Sequence, residues 1–233
     1  MFILENLKKE LRSYAKPEKI PILQNFFKTG KGEYGEGDIF IGLNVPDSRK
    51  VTKKYFEIEL EDVEKLLDSK IHEERLVAVL ILVEKYKNSS DKNKIFDFYL
   101  KNAKKINNWD LVDLSAPKIA GDFLFDKDKS ILYKFSKSEN LWERRISIIS
   151  TYYFIKNNEF KETFKISEIL LNDKHDLIHK AVGWMLREVG KKNVKYEENF
   201  LKKYYKKMPR TMLRYAIEKF PEEKRKKYLN GEI

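Results

Sequence analysis

The sequence predicts an all-α fold, an α-solenoid of HEAT-like helical repeats with a period of about 35 residues. Three observations predict it. Turn-forming residues are scarce, with nine Gly and six Pro in 233 residues. No segment alternates apolar and polar residues over many positions, so no β-sheet is expected. Helical segments also recur at a fixed interval. Arg75 in HEERLVAVLILV, Asp110 in NNWDLVDLSAPK, Arg145 in WERRISIISTYY, Lys180 in LIHKAVGWMLRE and Arg214 in TMLRYAIEKF lie 35, 35, 35 and 34 residues apart. Each is followed by mostly apolar residues and then by a second helix, such as KNKIFDFYLKNA or FKETFKISEILL. One helix pair cannot bury its apolar stripe alone, whereas stacked pairs can. An ordinary bundle with a coincidental period is the alternative, and four near-equal intervals weigh against it. Such a stack is curved, and the second helices of its units line a concave face where binding residues are expected.

The elements follow in order. Phe2, Leu4, Leu7 and Leu11 mark a first helix. Pro17 suits the first turn of a second, PEKIPILQNFFK. A glycine-rich loop over 29–42 holds five of the nine Gly and reads as a mobile link or a loop meeting an anionic partner through Lys28, Lys31 and Tyr34. Val45-Pro46-Asp47-Ser48 opens the next helix, with Asp47 or Ser48 as N-cap. Trp142 is expected to pack at a helix start. Residues 191–233 carry 14 Lys+Arg against 6 Asp+Glu, interleaved with Tyr196, Tyr204, Tyr205, Tyr215 and Tyr228. That region reads as a basic C-terminal cap with some phosphate-contacting lysines; Lys202, Lys203, Lys206 and Lys207 cannot all face one groove. The whole chain, 1–233, reads as a single HEAT-like domain.

Composition narrows the function. Lys+Arg number 48 and Asp+Glu 37, giving a formal net charge of +11 that favours an anionic partner. The 36% of charged residues are accompanied by 42% apolar and 13% aromatic residues, so the chain is not disorder-like. There is no cysteine, which excludes disulfides, thiolate catalysis and cysteine-ligated metal centres. The longest apolar run, Leu76 to Val83, is far short of a membrane span. The first residues go straight into an amphipathic charged pattern rather than a signal peptide. A soluble, cytoplasmic monomer is expected, without a membrane partner.

Aligning the repeats shows which residues break them. Three positions after each marked site come Ala78, Asp113, Ile148, Gly183 and Ile217, so a carboxylate stands where sister repeats keep small or apolar groups. Burial there would desolvate it unless it faces a groove or a cation. Trp109 lies one turn before Asp113, and its counterparts are Glu74, Arg144, His179 and Leu213. The stripe continues with Arg144 or Arg145 in the next repeat, then Trp184 and Arg187. The residues alone leave two readings open. The stripe is a binding face, or Asp113 and Arg145 form an inter-repeat ion pair with the tryptophans in the core.

GWMLRE (183–188), WDLVD (109–113), WERRISII and the early FFKTGKGEYGEGD…VPDSRK stretch together resemble the bacterial DNA alkylation repair enzymes, the AlkD-like HEAT-repeat DNA glycosylases. The resemblance covers nearly the whole chain. It implies hydrolysis of the N-glycosidic bond of cationic alkylpurines in double-stranded DNA, such as 3-methyladenine and 7-methylguanine. It implies Asp113, Trp109, Trp184 and Arg145 as catalytic residues, with Arg187 and Arg144 on DNA. It places an aromatic of the second helix, here Phe26, at the DNA, where active members often carry Tyr. Lys180 and His179 share the stripe and are further expected DNA contacts. Neither metal nor organic cofactor is implied, and the lesion need not enter a deep pocket. The protein would be nucleoid-associated when bound. Relatives that bind branched DNA without evident base release make a non-catalytic binder of damaged or branched DNA the alternative.

Other signals are weaker. TGKGEYGEGD lacks the ending of a phosphate loop and carries Glu33, Glu36 and Asp38, which repel phosphate. His175 and His179 are four apart with Asp173 and Asp176 nearby, but no third strong metal ligand is placed.

Overall fold

Residues 2–233 are described by a computed structural model, in two compact units, Met1–Ser115 and Ala116–Ile233. The first unit holds α1 (Phe2–Ser13), α2 (Ile20–Phe26), α3 (Val45–Tyr55), α4 (Leu60–Leu67), α5 (His72–Asn88), α6 (Lys92–Lys101) and α7 (Trp109–Ser115). The second opens on a π turn, Pro117–Gly121, and continues with α8 (Asp122–Leu124), α9 (Ser130–Ser136), α10 (Leu141–Lys156) and α11 (Lys161–Ile169). It ends with α12 (Asp176–Lys192), α13 (Val194–Tyr204), α14 (Arg210–Ala216) and α15 (Glu222–Asn230). Among the described residues the sole β feature is an isolated parallel bridge between Ile39 and Ile71. Among them, too, no helix is long and apolar enough to cross a membrane.

The period in the sequence is realised as a helix series. Arg75, Asp110, Arg145 and Lys180 fall near the starts of α5, α7, α10 and α12, and Arg214 falls in the last turn of the short α14. In the first unit α5 packs on α3, α4, α6 and α7. That surrounds it, so Leu76 through Val83 are all buried and the run needs no polar face. In the second unit α10 packs on α12 and α12 on α14, with α11 against α10 and α12 and with α13 against α12. Each unit is thus a stack of helix pairs, the solenoid arrangement. Trp142 is buried in the first turn of α10, as expected.

Close stacking explains the glycine in the third repeat position of α12. A Cβ on Gly183 would collide with the Met212 carbonyl oxygen and the Tyr215 Cβ of α14. The site leaves no room for a side chain, so Gly183→Leu is expected to cost about 3 kcal/mol by overpacking. A lowered urea midpoint at unchanged slope would register it; an unaltered midpoint would show that α14 yields freely.

Three expectations are corrected. Asn44, rather than Asp47 or Ser48, caps α3: its side chain accepts from the Asp47 N–H at 2.9 Å, and Pro46 occupies the first turn. Residues 17–19 form a 3₁₀ turn and α2 begins only at Ile20. The glycine-rich loop is anchored over its second half rather than being a mobile link. The Glu73 carboxylate accepts from the N–H groups of Ile41, Gly42 and Leu43 at 2.9–3.2 Å. The Ile39 carbonyl accepts from the His72 N–H at 2.8 Å, and the Lys16 N–H donates to Ile41 O at 3.1 Å. Gly42 sits at φ 89°, where a side chain would strain the backbone and strike Lys16 O.

In the basic C-terminal region α13 and α14 pack against α12. Phe200, Leu201, Met212, Leu213 and Tyr228 are buried, while Lys202, Lys203, Lys206 and Lys207 are exposed.

Candidate nucleic-acid interface

In the first unit the site begins at the start of α7. The Asn108 side-chain oxygen accepts from the Trp109 N–H at 2.8 Å. Trp109 and Asp113, four residues apart, share a helical face and are both half-buried. The Trp109 ring stacks on Phe27 at 5.3 Å between centroids, with 17° between planes. Phe26, the last residue of α2, meets Trp109 edge-on at 5.6 Å and is 59% exposed. These three rings form an aromatic shelf beside Asp113. Buried Tyr99 shares a hydrogen bond with Ser115 Oγ at 3.0 Å. Burial holds its phenol neutral, and the charge of Asp113 pushes in the same direction against the Ser115 hydrogen bond.

Behind the shelf lies a buried charge cluster. His72, at the start of α5, points Nε2 at Asp110 Oδ2 (2.9 Å) and Nδ1 at Asp38 Oδ2 (3.4 Å). Arg75 pairs with Asp38 Oδ1 at 2.7 Å and donates to Ser69 O at 2.8 Å. The Asn108 amide donates to Asp38 at 3.3 Å. The His72 ring lies 4.7 Å from both Phe27 and Phe40. Burial by itself would discharge this imidazole, yet the charge and hydrogen bond of Asp110, with the Asp38 hydrogen bond, raise it to about 9. Asp38 is held below the usual carboxylate range: burial opposes this, and the His72 hydrogen bond and Arg75 charge outweigh it.

In the second unit the stripe residues are placed as follows. Trp184 is half-buried, lies 5.9 Å from the Tyr152 ring and donates through Nε1 to Glu188 at 3.1 Å. Lys156 Nζ sits 4.8 Å over the Tyr152 ring. Arg145 is 4% exposed rather than on an open face, and donates to the Leu177 carbonyl at 2.6 Å. Arg144 is a loop clamp: it pairs with Asp173 at 2.6 Å and donates to the carbonyls of Ser138 and Glu139, both at 2.9 Å. His179 Nε2 donates to Asp173 O at 2.5 Å, so these two expected DNA contacts converge on one aspartate. Lys180 pairs with Asp176 at 2.7 Å. Arg187 is engaged by Glu218 and lies 3.6 Å from Glu188. His175 caps α12, its Nδ1 accepting from the Leu177 N–H at 3.1 Å, and burial lowers its pKa. Among the described residues no group of three or more His, Asp or Glu is placed to hold a metal ion.

The shelf joins Phe26, which the resemblance placed at the DNA, to Trp109, one turn from Asp113, a contact the sequence did not foretell. Sequence reasoning missed Phe27, Phe40, His72 and the partners Asp38 and Asp110. A signal existed for Asp38: it is the acid between the last glycines and the apolar run IFIGL, and a buried end of that loop would need a cation.

A family model for the DNA alkylation repair enzymes matches residues 7–220. The fold is similar to the solved structure of a predicted DNA alkylation repair enzyme from Enterococcus faecalis. The TM-score is 0.69 at 17% identity, over 89% of this chain and 97% of that one. No curated protein matches the sequence. The chain belongs to the DNA alkylation repair enzyme family, and that membership implies DNA as its partner.

Proposed function

We propose that this family member is a monofunctional DNA glycosylase that hydrolyses the N-glycosidic bond of cationic alkylpurines such as 3-methyladenine and 7-methylguanine. The observation that carries the reading is the half-buried Asp113 carboxylate one turn from Trp109 on the Phe26–Phe27–Trp109 shelf. Alkylation at N3 or N7 leaves the purine positively charged and its bond to the sugar weak. As that bond breaks, positive charge moves onto the deoxyribose. A fixed carboxylate near C1′ stabilises that charge and orients the attacking water: the neutral base leaves with the electron pair of the broken N-glycosidic bond, the water oxygen bonds to C1′, and the water's proton passes through the carboxylate to solvent. The aromatic faces of Trp109, Phe26 and Trp184 pack on sugars and attract a cationic nucleotide. Arg187, Arg144, Lys180 and His179 are proposed on the DNA side, in contact with or steering the phosphates, while buried Arg145 supports the start of α12 through Leu177 O. The protein acts as a cytoplasmic monomer on double-stranded DNA.

A second reading, binding of damaged or branched DNA without catalysis, is favoured by Phe26, which offers no hydroxyl to the substrate. Duplex containing 7-methylguanine separates the two. Free base with an abasic site and an uncut strand is expected from the glycosylase; salt-dependent binding with no free base identifies the binder.

Arg187 supplies a further prediction. Its partner Glu218 is 46% exposed by side chain and competes with phosphate for the same guanidinium. Glu218→Gln is expected to tighten DNA binding about threefold at low salt and to steepen its salt dependence. Titration by fluorescence anisotropy at two salt concentrations measures this, and unchanged affinity would remove Arg187 from the phosphate contacts.

A further inference from the structure

We propose that His72 is a positioning residue for the shelf: its imidazolium, clamped between Asp38 of the glycine-rich loop and Asp110 of α7, fixes Trp109 and, one turn on, Asp113. The role in base release rests on the glycosylase reading; the clamp and its effect on Trp109 do not.

The geometry makes His72 the junction of three segments. Its own backbone N–H holds Ile39 O, one ring nitrogen faces Asp38 and the other faces Asp110, the residue after Trp109. Phe27 stacks on the Trp109 ring and meets the His72 ring at a 41° tilt, so the shelf rests against the imidazolium through Phe27. The charges balance only one way. Asp38 and Asp110 stand against Arg75 and His72, and the other acids of the α5 first turn are used elsewhere. Glu73 takes the loop N–H groups, and Glu74 pairs with Lys8 and Arg12, each at 3.2 Å. The remaining groups around the ring, Asn108, Phe27 and Phe40, carry no charge. A neutral imidazole has one N–H, so either Asp38, left with Arg75 and Asn108, or Asp110, left with the Leu111 N–H, would lose the His72 donor. Discharging His72 leaves two buried carboxylates against the single Arg75 cation, a cost relieved by moving α7 or the loop toward water. Movement of the α7 start displaces Trp109 first, and misplacement of about an ångström is enough to slow a positioned reaction roughly a hundredfold. The value of about 9 for His72 keeps the clamp charged at neutral pH.

The test uses the full chain with ¹⁵N-labelled His and Trp. Ring-nitrogen and indole signals are followed from about pH 7 to about pH 10, the Trp109 signal being identified by its loss in Trp109→Phe. Single-turnover base release is measured over the same range against a protein-free control. In the wild type His72 is expected to be doubly protonated at neutral pH, and the Trp109 indole to shift with the His72 midpoint. Asp110→Asn should lower that midpoint by about one unit or more and carry the high-pH fall in base release with it. DNA affinity should change less than about threefold, because phosphate contacts lie elsewhere. A Trp109 signal that stays flat while His72 titrates overturns the proposal. So does a rate profile that stays put when the midpoint moves. If Asp110→Asn does not fold, His72→Gln takes its place, with roughly tenfold slower base release at unchanged affinity expected and an unchanged rate contradicting. If the wild type releases no base at all, the glycosylase reading fails while the Trp109 titration still decides the clamp.

Discussion

Asp113→Asn is expected to lower single-turnover base release about a hundredfold or more while leaving DNA binding equal or slightly tighter. The substitution keeps the shape of the side chain and removes its charge. The lost interaction is one made mainly in the transition state, when the sugar becomes cationic, so the rate falls and the ground-state complex does not weaken. Binding should, if anything, improve, because an anion beside the phosphates is gone. This split separates a catalytic carboxylate from a structural one. If Asp113 served only to hold the fold together, thermal stability and affinity would fall with the rate. Measuring all three on one preparation checks the assignment.

Glu197→Gln is expected to stabilise the protein strongly at alkaline pH and hardly at all near pH 5. Glu197 lies on α13 at 2% exposure, packed against Gly190 of α12, with one carboxylate oxygen lacking a hydrogen-bond partner. Burial, with the charge of Glu198, raises it from 4.5 to about 8 against the opposing charges of Arg187 and Lys224. The folded state therefore keeps a proton that the unfolded chain gives up. Its contribution to stability is full below the unfolded value, falls as pH rises between the two values, and is lost above the folded one. At 1.36 kcal/mol per unit, the span is roughly 5 kcal/mol at most. Urea melts of the wild type and Glu197→Gln at about pH 5 and about pH 9 measure it. The curves should coincide more nearly in acid and diverge in base; parallel dependence on pH would show that Glu197 is ionised in the folded protein throughout.

The helix series was legible because it rests on local periodicity. Arg75, Asp110, Arg145 and Lys180 each mark a helix start and Arg214 marks the short α14, and each neighbouring repeat repeats the same packing problem. The resemblance named Phe26 and Trp109 separately, and their contact was not legible, since nothing in the spacing of residues 26 and 109 ties them together. The charge cluster was not legible for the same reason: Asp38, His72 and Asp110 are brought together by the stacking of α5 and α7 and the folding back of the loop. Periodicity also placed Arg144 and Arg187 on a face without revealing what they meet there. Their partners, Asp173 and Glu218, stand 29 and 31 residues further along, in the following repeat. Asn44 could have been read as the cap, because a Pro two residues later marks a first helical turn.

The measurement that tests the account most directly is release of free base from a duplex carrying one 7-methylguanine, with protein in excess over DNA. The account predicts 7-methylguanine in solution at a rate well above the protein-free control, one abasic site for each base released and no strand break. Full binding of the duplex with free base no higher than in the control would contradict it.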